Sequence, residues 1–164
     1  MHHRASSILF GLLVAAAVPA ANAQPTTSFF PTRGVAQFLA ENFDLASIRS
    51  SFGNRRTPAK RTFADFGMVP TAATEELLAF DDPTWYHGIK VLRRGDFNKD
   101  GIEDLEICFV DRAKEGSYNA QQPLLVTRYS ATTYAVAMIF ELDGCEKFSL
   151  LVDCRRGHRA AGTH

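Results

Sequence analysis

Oxygen-bearing side chains recur in residues 95–104, the stretch whose residue types and spacing are best suited to chemistry. Counted from Asp96, they stand at loop positions one, three, five and nine as Asp96, Asn98, Asp100 and Asp104. Gly101 at position six permits a sharp turn, and the backbone carbonyl of Ile102 stands at position seven. Calcium takes about six to eight oxygen ligands, so the spacing predicts a loop that aims alternate oxygens at one calcium ion.

A polar hairpin turn is the alternative interpretation of this stretch, because Asp, Asn and Gly are ordinary turn residues. The three carboxylates of Asp96, Asp100 and Asp104 would repel one another in a tight loop, and a divalent cation would relieve that repulsion. The register of the ligands with Gly101 therefore favours calcium.

The flanking residues distinguish this loop from an EF-hand. Position twelve is Ile107 where an EF-hand needs a bidentate Glu, and residues 89–93 and 105–110 have β-strand composition. The run Gly-Asp-Phe-Asn-x-Asp-Gly-x-x-Asp between strands resembles the calcium loop of FG-GAP and VCBS-type repeats. These repeats occur in integrin-like propellers and in secreted bacterial adhesion and carbohydrate-associated proteins.

The resemblance covers about fifteen residues and occurs once in the chain. It implies calcium as the cofactor, with Asp96, Asn98, Asp100 and Asp104 as side-chain ligands and Ile102 as a backbone ligand. A single copy cannot close a propeller, so we expect one isolated metal site.

The first 23 residues have the pattern of a secretory signal peptide. A basic start leads into an apolar run, which ends at the small-residue triplet Ala21-Asn22-Ala23. The run is about half the length that a membrane span requires, so we expect cleavage, no membrane span and a periplasmic or secreted location. The equal numbers of acidic and basic residues, 18 of each, give no reason to expect nucleic-acid binding.

One domain over residues 24–154 must position the loop, followed by a basic and disordered tail at 155–164. Apolar residues recur every three to four positions between Val35 and Phe52, which predicts an amphipathic helix. A break near residues 42–44 is an alternative within it, where Asp44 would cap a second short piece. The expected fold class is α+β, with this N-terminal helix packed on an antiparallel β-meander that contains the strand-loop-strand calcium site. The predicted strands of the meander are 76–80, 84–93, 105–111, 124–129, 134–142 and 148–152.

Three cysteines, Cys108, Cys145 and Cys154, allow one disulfide in an oxidising compartment. Cys145 and Cys154 flank predicted strand 148–152 and lie too far apart to bond. Cys108 and Cys145 lie near the ends of two strands that run in the same direction. The sequence therefore predicts a Cys108–Cys145 disulfide and leaves Cys154 as a spare thiol.

Three functions compete for this chain. The first is a secreted, non-catalytic calcium-binding module that binds a carbohydrate or a protein at the bacterial cell envelope. The second is a small hydrolase that uses paired carboxylates, and the third is a purely structural envelope protein. No catalytic motif is present, so we assign no catalytic residues and predict that the protein is not an enzyme.

The aromatic candidates for a sugar site are Trp85, Tyr86, Tyr118 and Tyr129. The carboxylates available to a hydrolase are Asp81, Asp82, Glu103, Glu106 and Asp111.

Overall fold

The computed structural model describes residues 26–48, 57–142 and 145, and its main element is one antiparallel sheet. Each strand of the sheet pairs with its neighbours in chain order. The strands are β1 (Ala72–Ala73), β2 (Leu77–Asp81), β3 (Trp85–Gly95), β4 (Asp104–Ala113), β5 (Asn119–Thr127) and β6 (Val136–Met138).

The described residues contain little helix. One α-helix, α1 (Val35–Asn42), is followed by a 3-10 turn at Leu45–Ser47, and a second 3-10 turn spans Ala64–Phe66. The predicted α+β class is wrong, because the structure is mainly a six-stranded antiparallel sheet with one short helix. The prediction that an N-terminal helix packs on the meander as a second layer is therefore wrong.

The helix is short because the chain leaves it at Phe43. There the backbone becomes extended and forms a parallel bridge with Ala135. The next turn is stabilised by Asp44, whose side chain accepts a hydrogen bond from the amide of Ala46. The predicted break near residues 42–44, with Asp44 capping a second short piece, is thus confirmed, although the second piece is a 3-10 turn rather than an α-helix.

One face of the sheet buries the main hydrophobic core. Alternate residues of β3 and β4 point into it, as the period of two in a strand requires. Phe63 and Phe80 stack within it with ring centroids 4.5 Å apart. The buried members are Phe30, Val35, Ala36, Leu39, Ala40, Phe43, Leu45, Ile48, Phe63, Leu78, Phe80, Ile89, Val91, Leu105, Ile107, Phe109, Val126 and Ala135.

The opposite face carries a smaller cluster around two cysteines. Cys108 on β4 and Cys145 lie at disulfide distance, with their Cα atoms 5.7 Å apart, and this is the pair that the sequence predicts. Nearby, the ring of Tyr86 lies over Gly88, where an added Cβ would stand 2.9 Å from ring atoms. Only glycine leaves room for that ring, so this position of β3 is fixed by packing.

Four predicted strands, 76–80, 84–93, 105–111 and 124–129, correspond to β2 through β5. The predicted strand 134–142 is much shorter, since β6 contains only Val136–Met138. The predicted strand 148–152, the signal peptide at 1–23 and the tail at 155–164 lie outside the described residues, as does Cys154. Among the helices that the structure describes, none has the length and apolar character of a membrane span.

Candidate functional site

The predicted calcium loop is the connection between β3 and β4. Gly95 and Asp104 pair at its base as the last and first residues of the two strands. Two residues in the loop have left-handed backbone, Lys99 with φ 63° and Gly101 with φ 83°. These conformations coil the chain tightly, so the strand-loop-strand setting predicted for this motif is present in the structure.

Backbone amides hold three of the four predicted side-chain ligands in place. Asp96 accepts from the amide of Asp100 at 3.0 Å through Oδ1 and from that of Gly101 at 2.9 Å through Oδ2. Asn98 Oδ1 accepts from the amide of Asp100 at 3.0 Å. Asp100 Oδ1 in turn accepts from the amide of Ile102 at 2.8 Å. The oxygens are thus oriented by the loop's own backbone.

Asp104, the fourth ligand, is different because it is fully buried, with 0% of its surface exposed. Its Oδ2 accepts from the amide of Phe97 at 3.2 Å, which turns the carboxylate toward the loop. Its Oδ1 and the hydroxyl of Thr127, the residue paired with it on β5, are buried and form no hydrogen bond of good geometry, although the Thr127 hydroxyl and the Asn98 amide lie close enough to lower the pKa of the carboxyl. A buried carboxylate oxygen without a partner is costly, and a cation would compensate for that cost.

Burial also changes the acidity of this group. Removal from water raises the pKa of the Asp104 carboxyl above its usual value, and the negative charge of Asp100 adds to the rise. Nearby polar groups offset only part of the effect. The carboxylate is therefore held in an environment that penalises its charge as long as no positive charge is near.

The backbone ligand, Ile102, lies where the loop meets the N-terminal part of the domain. A parallel bridge joins it to Thr27, whose amide donates to the carbonyl of Gly101 and whose carbonyl accepts from Glu103, both at 2.8 Å. These bonds use the neighbours of Ile102, and the amide of Ile102 points to Asp100 within the loop. Its carbonyl consequently stays on the loop side of the segment, as the predicted role requires.

Side chains reinforce the same junction. Arg94 pairs with Glu103 at 2.7 Å and donates to the carbonyl of Pro31 at 2.9 Å. The hydroxyl of Ser28 donates to Glu103 Oε2, the same oxygen that accepts from Arg94. The base of the loop is thus attached to the segment that precedes α1.

The side chains of the loop do not form a closed ligand shell in this arrangement. Within the described part of the chain, no group of three or more His, Cys, Asp or Glu side chains has the geometry to hold a metal ion. What the structure provides is a hairpin loop with the predicted oxygens in register and one buried carboxylate oxygen left unsatisfied.

A second polar cluster, which sequence reasoning missed, lies at the other end of β3 and β4. It is centred on Asp111, which is 2% exposed. Asp111 Oδ1 accepts from the indole N–H of Trp85 and lies 3.0 Å from Nδ1 of His87, while its Oδ2 accepts from the Tyr118 hydroxyl at 3.2 Å. Burial lowers the pKa of His87, against the opposing effect of Asp111 and Asp82. The alternation of Trp85 and His87 on one strand face was the available signal.

The carboxylates considered for a hydrolase each bind a donor. Each carboxylate is paired with its own donor. Among the described contacts, none brings two of these carboxylates together as a glycosidase would require. The partners are Lys114 for Asp81, the Thr84 and Trp85 amides for Asp82, Arg94 for Glu103, Arg93 for Glu106, and the aromatic cluster for Asp111.

The four aromatic candidates are divided among three places. Trp85 and Tyr118 lie together, with ring centroids 5.6 Å apart. Tyr86 is buried on the opposite face of the sheet. Tyr129 is exposed, and its hydroxyl lies 3.6 Å from the sulfur of Met138 near the calcium-loop end. Only the first pair forms a common surface.

Comparisons with known proteins add no family or activity, since no protein-family model, curated protein or solved structure matches the chain significantly. The site must therefore be interpreted from its own chemistry.

Proposed function

We propose that the chain is an exported, non-catalytic calcium-binding module whose ion is held by the loop between β3 and β4. The ligands are the side chains of Asp96, Asn98, Asp100 and Asp104 and the carbonyl of Ile102. The observation that carries the proposal is the fully buried carboxylate of Asp104, whose Oδ1 forms no hydrogen bond of good geometry, at the base of a loop whose other oxygens are in register. The resemblance to FG-GAP and VCBS-type loops supports the same ligands.

Export is supported by two further features. The first is the leader-like pattern of residues 1–23. The second is the placement of Cys108 and Cys145 at disulfide distance, because disulfides persist mainly in oxidising compartments. Calcium sites in extracellular modules bind at about 10⁻⁴–10⁻³ M, a range suited to calcium outside the cytosol.

The test is the thermal and chemical stability of the exported chain in EDTA, magnesium and calcium. Calcium at about 100 times its dissociation constant should raise the free energy of unfolding by about 2.7 kcal/mol. Magnesium should raise it less, because it demands a tighter octahedral shell. Equal stability in all three solutions at millimolar metal would contradict the proposal.

Matched variants locate the effect within the chain. Asp104→Asn removes one negative charge from the loop, and the response to calcium should disappear. Glu115→Gln removes one negative charge from the exposed hairpin between β4 and β5, at the other end of the sheet, and the response should remain. A calcium response that survives Asp104→Asn would place the ion elsewhere.

A further inference from the structure

Three rings form a row at the end of the sheet that lies away from the calcium loop. The centroids of His87 and Trp85 are 6.0 Å apart, and those of Trp85 and Tyr118 are 5.6 Å apart, with tilts of 33° and 32°. Exposure rises along the row, from buried His87 through half-buried Trp85 to Tyr118, which is 38% exposed. The row therefore runs from the interior to the surface.

A single buried carboxylate fixes the orientation of all three rings. Asp111 accepts from the indole N–H of Trp85 and the hydroxyl of Tyr118, and its Oδ1 lies 3.0 Å from Nδ1 of His87. Tyr118 lies in the hairpin that joins β4 and β5, where core packing does not hold it. Its bond to Asp111 restrains the ring at the surface. The protein therefore loses little conformational entropy when a ligand binds to this ring.

The chemistry of this surface favours a neutral sugar. An aromatic ring has a negative face, which attracts the polarised C–H groups on the apolar side of a pyranose ring. Negative charge is in excess beside the row: Asp82 is exposed next to Trp85 and its charge reaches His87, whereas the ammonium of Lys114 is paired with Asp81 at 2.6 Å. Negative charge here disfavours phosphate, and hence a nucleic acid that would stack on the same rings.

A protein partner fits this end of the sheet less well. A specific protein interface buries about 800 Å² on each side and has a cluster of exposed apolar residues at its centre. Among the large apolar side chains that the structure describes as exposed, Tyr118 is the one in the β4–β5 hairpin. Tyr129, Ile139 and Phe140 belong to the segments that follow β5 and β6.

We propose that Trp85 and Tyr118, oriented by Asp111, form a binding site for neutral oligosaccharides. The site goes beyond the calcium loop and is independent of it, because the two lie at opposite ends of β3 and β4. Asp111 and His87 are positioning residues in this site, whereas Tyr118 and Trp85 contact the sugar.

The fluorescence of Trp85 gives a direct measurement, since it is the only tryptophan in the chain. The full chain is titrated with cellohexaose, chitohexaose, maltohexaose and an oligodeoxythymidine, in calcium and in EDTA, with calorimetry on the same samples. We expect a saturable change with at least one of the sugars and none with the oligonucleotide. No saturable change with any sugar, or a response to the oligonucleotide instead, would overturn the proposal.

Three variants separate stacking from folding. Tyr118→Ala should weaken sugar binding about tenfold, because one aromatic contact is lost. Tyr118→Phe keeps the ring but loses the bond to Asp111, and binding should weaken by about threefold. Tyr134→Ala removes a tyrosine of similar exposure that Arg61 covers, and binding should not change. Circular dichroism checks that each variant is folded. Unchanged affinity in both Tyr118 variants would overturn the site.

The titrations in calcium and in EDTA distinguish failure of the sugar-site proposal from failure of the calcium-loop proposal. If sugar binding fails while calcium still stabilises the chain, the ring site alone is overturned. If sugar binds equally in EDTA and calcium while stability ignores calcium, the loop alone is overturned.

Discussion

Strand β4 carries a buried carboxylate near each of its ends, and the two carboxylates differ in their hydrogen-bond partners. Asp104, its first residue, is 0% exposed, accepts from one backbone amide on Oδ2 and forms no hydrogen bond of good geometry on Oδ1, near which the Thr127 hydroxyl lies. Asp111, near its last residue, is 2% exposed, accepts from an indole N–H and a phenol O–H, and has an imidazole nitrogen 3.0 Å from Oδ1. The two carboxylates are therefore equally buried, but they differ in how fully their oxygens are hydrogen-bonded.

The difference indicates what each carboxylate does. A buried charge with a full set of donors is stabilised by the protein alone and can orient the groups that donate to it. A buried charge that lacks a partner is stabilised only when something else supplies positive charge. On this basis we interpret Asp111 as an internal anchor and Asp104 as part of a site for a cation.

Removal of the disulfide pair should cause the largest loss of stability and leave the difference between Asp104 and Asp111 unchanged. Cys108 lies between the two carboxylates on β4, and its pair closes a loop with a sequence separation of 37 residues. The double variant Cys108→Ala with Cys145→Ala should lose about 3–4 kcal/mol in chemical denaturation. Calcium should still stabilise it, and the emission spectrum of Trp85 should not shift. Free thiols at both positions in the exported chain would contradict the pairing.

Isosteric replacement of the satisfied carboxylate should give the next largest effect. Asp111→Asn turns one acceptor into a donor facing Trp85 or Tyr118, and the free energy of unfolding should fall by about 2 kcal/mol. The measurement is urea denaturation with and without calcium, and the calcium response should be unchanged. If the variant were as stable as the parent protein, the interpretation of Asp111 as an internal anchor would be wrong.

The same replacement at the unsatisfied carboxylate should have the opposite sign. In EDTA, Asp104→Asn removes a buried charge that lacks a partner, so stability should be unchanged or higher by up to about 1 kcal/mol. Urea denaturation in EDTA measures the change, with Glu115→Gln as the control for lost charge. A loss as large as that of Asp111→Asn would eliminate the distinction between the two ends.

The smallest effect is a pH dependence at the satisfied end. Burial lowers the pKa of His87 below 6.5, and the carboxylates of Asp111 and Asp82 oppose this shift. The unfolded chain then binds the proton more readily, so stability is lost as the pH falls through the unfolded pKa. His87→Gln should reduce the loss between about pH 8 and pH 5, as measured by thermal melts. Parallel curves for the two proteins would show that His87 does not contribute.

The hairpin between β3 and β4 was predictable because its information is local. The turn residues, the glycine at the sharp bend and the β-type flanks all lie within about fifteen residues, and each constrains the same short segment. The strand positions on either side of the loop followed from the same signals. Which oxygens have partners was not predictable, since the state of Asp104 depends on burial beneath the rest of the sheet.

The aromatic cluster was missed because its geometry depends on an irregularity in the sheet. Counting back from the base of the loop, an unbroken ladder would pair His87 with Arg112. The register shift between Val91 and Arg93 pairs it with Asp111 instead. A bulge moves every later residue of the ladder by one position, and no local pattern in β3 marks where it falls.

The break in the helical segment near residues 42–44 and the capping by Asp44 were predictable, but the contact that forms the break was not. Apolar spacing near 3.6 residues predicts burial on one side of a segment, and tertiary contacts decide how the backbone achieves it. Phe43 is fully buried through a bridge to Ala135 rather than through a further helical turn. The sheet therefore determined the local structure of this segment.

The bridge between Thr27 and Ile102 has a consequence for how the loop can be observed. The amides of Thr27 and Glu103 donate across this junction, one from the N-terminal segment and one from the loop side. Any opening that separates the two segments exposes both amides to solvent together, so their hydrogen-exchange rates should change in parallel. An ion that stabilises the loop would slow exchange at Thr27, a residue that does not touch the ion. A backbone proton outside the loop thus reports its opening.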